Sequence, residues 1–123
     1  MSKRILIVDD DPVVLHLVES MLKANGYEVD KAADGLDALV KIKQEPPDIV
    51  ILDIIMPEIN GYDVCCELRF NKEFMQIPIL ILTETEQEIE DSIGKRVNIE
   101  YLKKPVVANL LLDKIKFLLS KAV

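Results

Sequence analysis

The chain is poor in aromatic residues, with three Phe, three Tyr and no Trp among its 123 residues. A core built on stacked rings is therefore excluded, and the 50% of residues that are hydrophobic must pack chiefly as Ile, Leu and Val. That apolar share argues against a disordered chain. The length suits a single domain, residues 1–123, large enough to bury an aliphatic core.

Cysteine and histidine, the usual zinc ligands, are almost absent. Cys65 and Cys66 are adjacent in the sequence, and neighbours on a helix point apart, so we expect reduced thiols and no disulfide or metal role. The one histidine, His16, lies one turn inside a predicted helix. A histidine there could act as a relay, but a place on the helix surface is the better interpretation.

Long apolar runs are also missing, so no segment is long enough to span a bilayer. The run after Lys3-Arg4 is too short for a signal peptide, and we expect a cytoplasmic protein. Positive charge is in deficit, with a formal net charge of −7. This balance argues against non-specific binding to nucleic acid or to an anionic membrane, and leaves protein partners open.

What the chain does contain is a regular alternation of strand-like and helix-like segments. Strands are predicted at 4–8, 27–31, 49–52, 77–82 and 99–102. A helix follows each strand, and the first is predicted to have Asp11 as its cap and Pro12 at its first position. Five such βα units with right-handed crossovers give an α/β protein with helices on both faces of a parallel sheet.

Polar residues stand at the carboxyl ends of four predicted strands. Asp9 and Asp10 end the first strand, Asp53 ends the all-apolar third, Thr83 ends the fourth, and Lys104 follows the fifth. In open α/β sheets ligands bind at this edge, so we expect these side chains to meet there if strands 1 and 3 are neighbours. Clustered carboxylates suit Mg²⁺, and with a hydroxyl and an ammonium they supply what phosphoryl transfer to a carboxylate requires.

These pieces make the chain resemble a CheY-like response-regulator receiver domain of two-component signalling. The matching segments are 7–12, 53–57 with Asn60-Gly61, Thr83 and 101–105. Each segment alone is a weak signal, but their order and spacing together are specific, and the resemblance covers essentially the whole chain. It implies a flavodoxin-like doubly wound (βα)5 fold with strand order 2-1-3-4-5.

The resemblance implies a role for each matching position. Asp53 would accept a phosphoryl group from the phosphohistidine of a sensor histidine kinase or of a histidine phosphotransfer protein. Asp9, Asp10, Asp53 and the backbone carbonyl of Ile55 would bind Mg²⁺ or Mn²⁺. Lys104 would pair first with Asp53 and then with a phosphate oxygen. The chain would thus be a phospho-acceptor regulator and not an enzyme.

The resemblance also implies a conformational switch. Thr83 would turn its hydroxyl toward the phosphoryl group and Tyr101 would swing inward, although Tyr101 also fits a half-buried strand aromatic. The Lys104–Pro105 peptide bond is expected to be cis. The face formed by strand 4, the following helix and strand 5 would then change for a downstream protein that the sequence does not name. The sequence leaves open whether phosphorylation produces a homodimer. It also leaves open whether the chain is free-standing or part of a longer regulator.

Two features depart from the family pattern. Receivers usually carry a small residue directly after the strand-4 hydroxyl, where this chain has Glu84. A bulky acid there would narrow the approach to Asp53 and repel phosphate. The stretch between Thr83 and Lys104 also looks short, so we expect unusual geometry in the helix that follows strand 4.

Two functions of other classes remain as alternatives. A metal-dependent phosphohydrolase would use the same aspartyl phosphate, but enzymes of the haloacid-dehalogenase type place a second carboxylate two residues beyond the nucleophile. Ile55 occupies that position here, which weighs against turnover. A phosphorylation-independent docking module would keep the fold without the chemistry.

Overall fold

The structure is a computed structural model, and it describes residues 2–54, 61–84 and 98–121. In chain order its elements are β1 (Arg4–Val8), α1 (Pro12–Lys23), β2 (Glu28–Ala32), α2 (Gly35–Gln44), β3 (Ile49–Asp53), α3 (Gly61–Arg69), β4 (Ile79–Thr83), β5 (Ile99–Lys103) and α4 (Ala108–Lys121). The helix predicted between β4 and β5 and its unusual geometry lie outside the described residues.

The strands form one parallel sheet in the order β2-β1-β3-β4-β5. This arrangement confirms the predicted α/β class and the flavodoxin-like strand order. Val8 lies opposite Leu52 in the pairing of β1 with β3, and Asp53 lies opposite Leu82 in the pairing of β3 with β4. The carboxyl ends of the three central strands therefore meet at one edge of the sheet.

Alternating strand residues divide the core into two layers, one on each face of the sheet. On one face, Leu6, Val8, Val50 and Leu52 pack with residues of α2 and α3. On the other face, neighbouring strand residues pack with α1 and α4; the buried members of this layer are Ile5, Ile7, Val18, Leu22, Ile49, Ile51, Leu80, Leu82, Leu102, Leu111, Ile115 and Leu118. The buried members of both layers are aliphatic apart from Phe74 and Cys65, as the composition predicts.

The first helix begins as the sequence predicts. The Asp11 side chain accepts a hydrogen bond from the Val13 N–H at 2.9 Å, which satisfies a backbone donor that the first turn leaves free. Pro12 occupies the first turn, where its missing N–H has no consequence. The helix ends before Gly26, whose φ of +86° is a left-handed conformation that glycine adopts without strain.

Two strands begin later than predicted, because local backbone hydrogen bonds compete with the sheet. The Tyr27 N–H donates to the Leu22 carbonyl at the end of α1, so β2 begins at Glu28. The Ile77 N–H donates to the Phe74 carbonyl in a turn, and Pro78 has no N–H to donate, so β4 begins at Ile79.

Helix α2 leaves two large apolar residues at the surface. Leu36 and Val40 are 56% and 47% exposed. Gly35, Ala38 and Ile42 are the residues that α2 buries. The buried face contains two small residues, so this helix can pack closely against its neighbours.

Other expectations concern single residues and membrane spans. Cys65 is buried and Cys66 is exposed, and the structure has both as free thiols. His16 is exposed on α1, as expected. Within the described ranges, none of the helices combines the length and the apolar composition needed to cross a bilayer.

Candidate functional site

Three carboxylates meet at the carboxyl edge of the sheet. Asp9 and Asp10 directly follow β1, and Asp53 is the last residue of β3. One oxygen atom from each of the three lies within 4.8 Å of the other two. Asp9 and Asp53 are buried and Asp10 is exposed. The two neighbouring central strands thus bring together the acidic residues that the sequence analysis selected.

Lys104 supplies the positive charge that faces these acids. Its Nζ lies 3.5 Å from Asp9 Oδ2 and 3.5 Å from Asp53 Oδ1, so one ammonium bridges the ends of β1 and β3. The Lys104 N–H donates to the Thr83 carbonyl at 2.7 Å, which fixes the backbone of this residue against the end of β4. The Lys104–Pro105 peptide bond is cis.

Burial and ion pairing act in opposite directions on these charges. Burial raises the pKa of Asp9, and this effect exceeds the lowering by the Asp11 N–H, which donates to Asp9 Oδ1 at 2.9 Å, and by Lys104. Burial alone would lower the pKa of Lys104, but attraction by Asp9 and Asp53 raises it overall. The ammonium therefore stays charged, while the ionised form of Asp9 is left incompletely compensated.

The site opens into a cavity of about 350 Å³. Its described lining consists of Asp9, Asp10, Asp11, Asp53, Ile54, Thr83, Glu84 and Lys104. Thr83 is only 2% exposed, so its side chain belongs to the inner part of this region, whereas Glu84 is exposed at the rim. The cavity has room for a phosphoryl group and a hydrated cation.

Gly61 holds α3 against the end of β3, a role that sequence reasoning did not find. The Gly61 N–H donates to the Ile54 carbonyl at 2.9 Å. A Cβ atom on Gly61 would lie 2.3 Å from the backbone oxygen of Asp53, far inside any allowed contact. Asn60-Gly61 belongs to a segment that resembles the family pattern, but a close approach of two backbones leaves no local pattern in the sequence.

The structure also places the remaining predicted site residues. Tyr101 is half-buried on β5 and packs against the core layer that faces α2 and α3; it lies opposite Ile81. Asp11 lines the cavity but also caps α1, the role that we expected for it first. Ile55, whose carbonyl is a predicted metal ligand, lies outside the described residues, as do Met56 and Pro57.

Comparison with known proteins agrees with this geometry. The family model of the response regulator receiver domain matches residues 5–116. PilH of Pseudomonas aeruginosa is 40% identical over 118 residues, which cover 95% of this chain and 98% of that protein. PhoP of Bacillus subtilis, an alkaline phosphatase synthesis transcriptional regulatory protein, is 34% identical over 123 residues, and there the match covers 50% of the relative. The chain belongs to the response regulator receiver domain family.

Solved structures show the same fold. The chemotaxis response regulator CheY4 of Vibrio cholerae superimposes with a TM-score of 0.87 at 31% identity, covering 96% of this chain and 99% of that one. The receiver domain of sensor histidine kinase PA1611 from P. aeruginosa gives a TM-score of 0.87 at 25% identity, covering 98% and 100% of the two chains. Magnesium is coordinated in the active-site cleft of the PA1611 domain.

The donor set of this chain fits a hard divalent cation. Mg²⁺ prefers oxygen ligands, needs only one or two carboxylates and keeps several waters, all of which the cluster of Asp9, Asp10 and Asp53 allows. Burial raises the pKa of Asp9 although Lys104 lies beside it. A cation at this position would stabilise the ionised form of Asp9.

Proposed function

We propose that Asp53 is the phospho-acceptor of a signalling receiver, and that its donor is a phosphohistidine on a sensor kinase or phosphotransfer protein. The observation that carries the proposal is the juxtaposition of three carboxylates within 4.8 Å with Lys104, 3.5 Å from both Asp9 and Asp53. Family membership supports the same chemistry.

In the proposed reaction an oxygen of Asp53 attacks phosphorus while the phosphorus–nitrogen bond of the donor breaks. The electron pair of that bond returns to the imidazole, which takes up a proton, and Asp53 becomes an acyl phosphate. Asp9, Asp10 and Asp53 would hold Mg²⁺ or Mn²⁺, and the Ile55 carbonyl completes the predicted ligand set. The cation would supply positive charge to the phosphoryl oxygens. Lys104 would pair with a phosphoryl oxygen after transfer.

The signal would leave the site through Thr83 and Tyr101. The Thr83 hydroxyl would follow the new acceptor oxygens, and Tyr101, half-buried on the next strand, would move into the vacated space. Phosphorylation adds negative charge beside a charged ammonium, and a bias of a few kcal/mol is enough to shift such a two-state equilibrium. The altered face of β4 and β5 would then bind a downstream protein or a second copy of the chain.

Labelling by a small phosphodonor tests the acceptor. With Mg²⁺ and phosphoramidate we expect a mass increase of one phosphoryl group per chain, which is lost in Asp53→Asn and after chelation of the metal. Asp48→Asn is a matched control, because it makes the same change at an exposed aspartate just before β3. Continued turnover of donor without accumulation of phosphoprotein would contradict the proposal and favour a phosphohydrolase.

The switch needs its own measurement. Beryllofluoride with Mg²⁺ mimics the acyl phosphate, and we expect it to shift the amide resonances of Thr83 and Tyr101 in the parent protein but not in Asp53→Asn. Unchanged resonances at both residues in the parent protein would favour a docking module that works without phosphorylation.

A further inference from the structure

Glu84 stands at the mouth of the proposed phosphorylation site and has no part in the reaction described above. It directly follows Thr83 and lines the same cavity as Asp53. Within the described lining, five carboxylates face a single ammonium; the acids are Asp9, Asp10, Asp11, Asp53 and Glu84, and the ammonium is that of Lys104. Within that lining, Lys104 pairs with Asp9 and Asp53, and Glu84 adds a further negative charge.

Glu84 brings a negative charge to the place where the cavity meets solvent. The side chain is exposed, whereas its neighbour Thr83 is 2% exposed, and both line the cavity. Its negative charge still acts across the opening, because screening in about 0.1 M salt extends over roughly 10 Å. Low-dielectric walls strengthen that field within a cleft.

We infer that Glu84 determines the donor preference of Asp53 by disfavouring small, highly charged phosphodonors relative to a phosphohistidine presented on a protein. The inference rests on the proposed function of Asp53. A small donor must carry its whole charge past Glu84 with no other contact to offset the repulsion. A donor protein makes further contacts outside the cavity, and their binding energy offsets it.

Two small donors of different charge isolate this effect. Acetyl phosphate is doubly anionic at neutral pH; its phosphorus–oxygen bond to the acyl group breaks and acetate leaves with the electron pair. Phosphoramidate carries a protonated amino group and hence a smaller net charge; its phosphorus–nitrogen bond breaks and ammonia leaves. In both reactions the phosphoryl group is transferred to an oxygen of Asp53.

The test compares labelling rates at saturating Mg²⁺ for the parent protein and for Glu84→Gln, which keeps the size of the side chain and removes its charge. We expect Glu84→Gln to raise the acetyl phosphate rate about fivefold and the phosphoramidate rate less, with both gains shrinking as salt is added. Glu28→Gln is the matched control; it removes one charge at the exposed amino end of β2 and should leave both rates unchanged.

The outcomes separate this inference from the function on which it depends. Equal rates for the parent protein and Glu84→Gln, or an increase seen only in Glu84→Ala, would overturn it, because size and not charge would then control access. Equal gains with both donors would overturn it as well. Failure of both the parent protein and Glu84→Gln to be labelled by either donor would contradict the proposed function itself, whereas labelling of Glu84→Gln alone would support the inference.

Discussion

The two edges of the sheet both place a cation among carboxylates, but they do so in different surroundings. At the carboxyl edge, Lys104 lies between Asp9, whose side chain is 0% exposed, and Asp53, at 11%. At the amino edge, the Arg4 side chain pairs with Asp30 and Glu45, which are 43% and 76% exposed. The chemistry of the pairs is similar, and burial makes the difference.

This difference gives the two edges different electrostatic properties. Water screens the amino-edge pairs, and such surface pairs contribute about 0–1 kcal/mol to stability. At the carboxyl edge burial raises the pKa of Asp9, so the ionised form of this acid gains more from an added cation. A response of this kind is what the proposed phosphorylation switch requires.

Gly61→Ala should have the largest effect, because it forces the backbones of α3 and β3 apart at the carboxyl edge. The new Cβ would lie 2.3 Å from the Asp53 backbone oxygen, and we expect a loss of about 3 kcal/mol in the free energy of unfolding. Gly26→Ala, before β2, meets no atom within 4 Å and strains only a left-handed backbone, for a loss of about 1 kcal/mol. Urea denaturation measures both; equal losses would contradict the close approach.

Lys104→Met should have the second-largest effect on the free energy of unfolding, because it removes the ammonium of the carboxyl-edge cluster. It keeps most of the stem but leaves Asp9 and Asp53 without their ammonium, and we expect a loss of about 2 kcal/mol without Mg²⁺. Arg4→Met at the amino edge should lose less than about 1 kcal/mol. Added Mg²⁺ should restore stability to Lys104→Met and not to Arg4→Met. A similar loss in both variants would show that burial does not distinguish the two edges.

Asp9→Asn should stabilise the metal-free protein, which is the opposite of the usual effect of removing a charge from an ion pair. The raised pKa of Asp9 means that burial outweighs its favourable partners, so removal of the charge should add about 1 kcal/mol. The same variant should lose the rise in melting temperature that Mg²⁺ gives the parent protein.

Asp48→Asn provides the comparison at the amino edge. Asp48 Oδ2 accepts from the Arg4 N–H at 2.7 Å in an exposed setting, so we expect a small loss and an unchanged response to Mg²⁺. Thermal unfolding with and without Mg²⁺ measures the change in stability of Asp9→Asn and of Asp48→Asn, and the response of each variant to the metal. Destabilisation of the metal-free protein by Asp9→Asn would show that Lys104 compensates the cluster fully.

Glu19→Gln should have the smallest effect on stability. It tests an ion pair with exposed lysines that lies away from both edges of the sheet. Glu19 on α1 pairs with the exposed Lys23 and Lys31, and hydrogen bonds from these two lysines lower its pKa. A lowered folded-state pKa gives stability that is present above the unfolded-state pKa and is lost as the pH falls through the folded-state pKa. The parent protein should therefore lose its small advantage over Glu19→Gln in acid. An advantage that grows in acid would contradict this sign.

Much of the fold and of the site is predictable from the sequence, because the relevant signals are local or directional. The apolar runs ending in Asp9 and Asp53 predict two buried strands with carboxylates at their tips, and the structure brings those tips together. Asp11 and Pro12 predict the start of α1. Strand starts were less predictable, since β2 and β4 depend on backbone hydrogen bonds that form only in the folded chain.

The sequence by itself determined which residues carry charge, where the strands end, and that the core is aliphatic. The tertiary structure decided how much water each charge retains. It left Leu36 and Val40 exposed, seated Gly61 against the Asp53 backbone and put Glu84 at the cavity mouth. The physical reason is that burial depends on how distant segments pack together. The position of a carboxylate at the end of a strand can therefore be predicted from the sequence, but its burial and its pKa cannot.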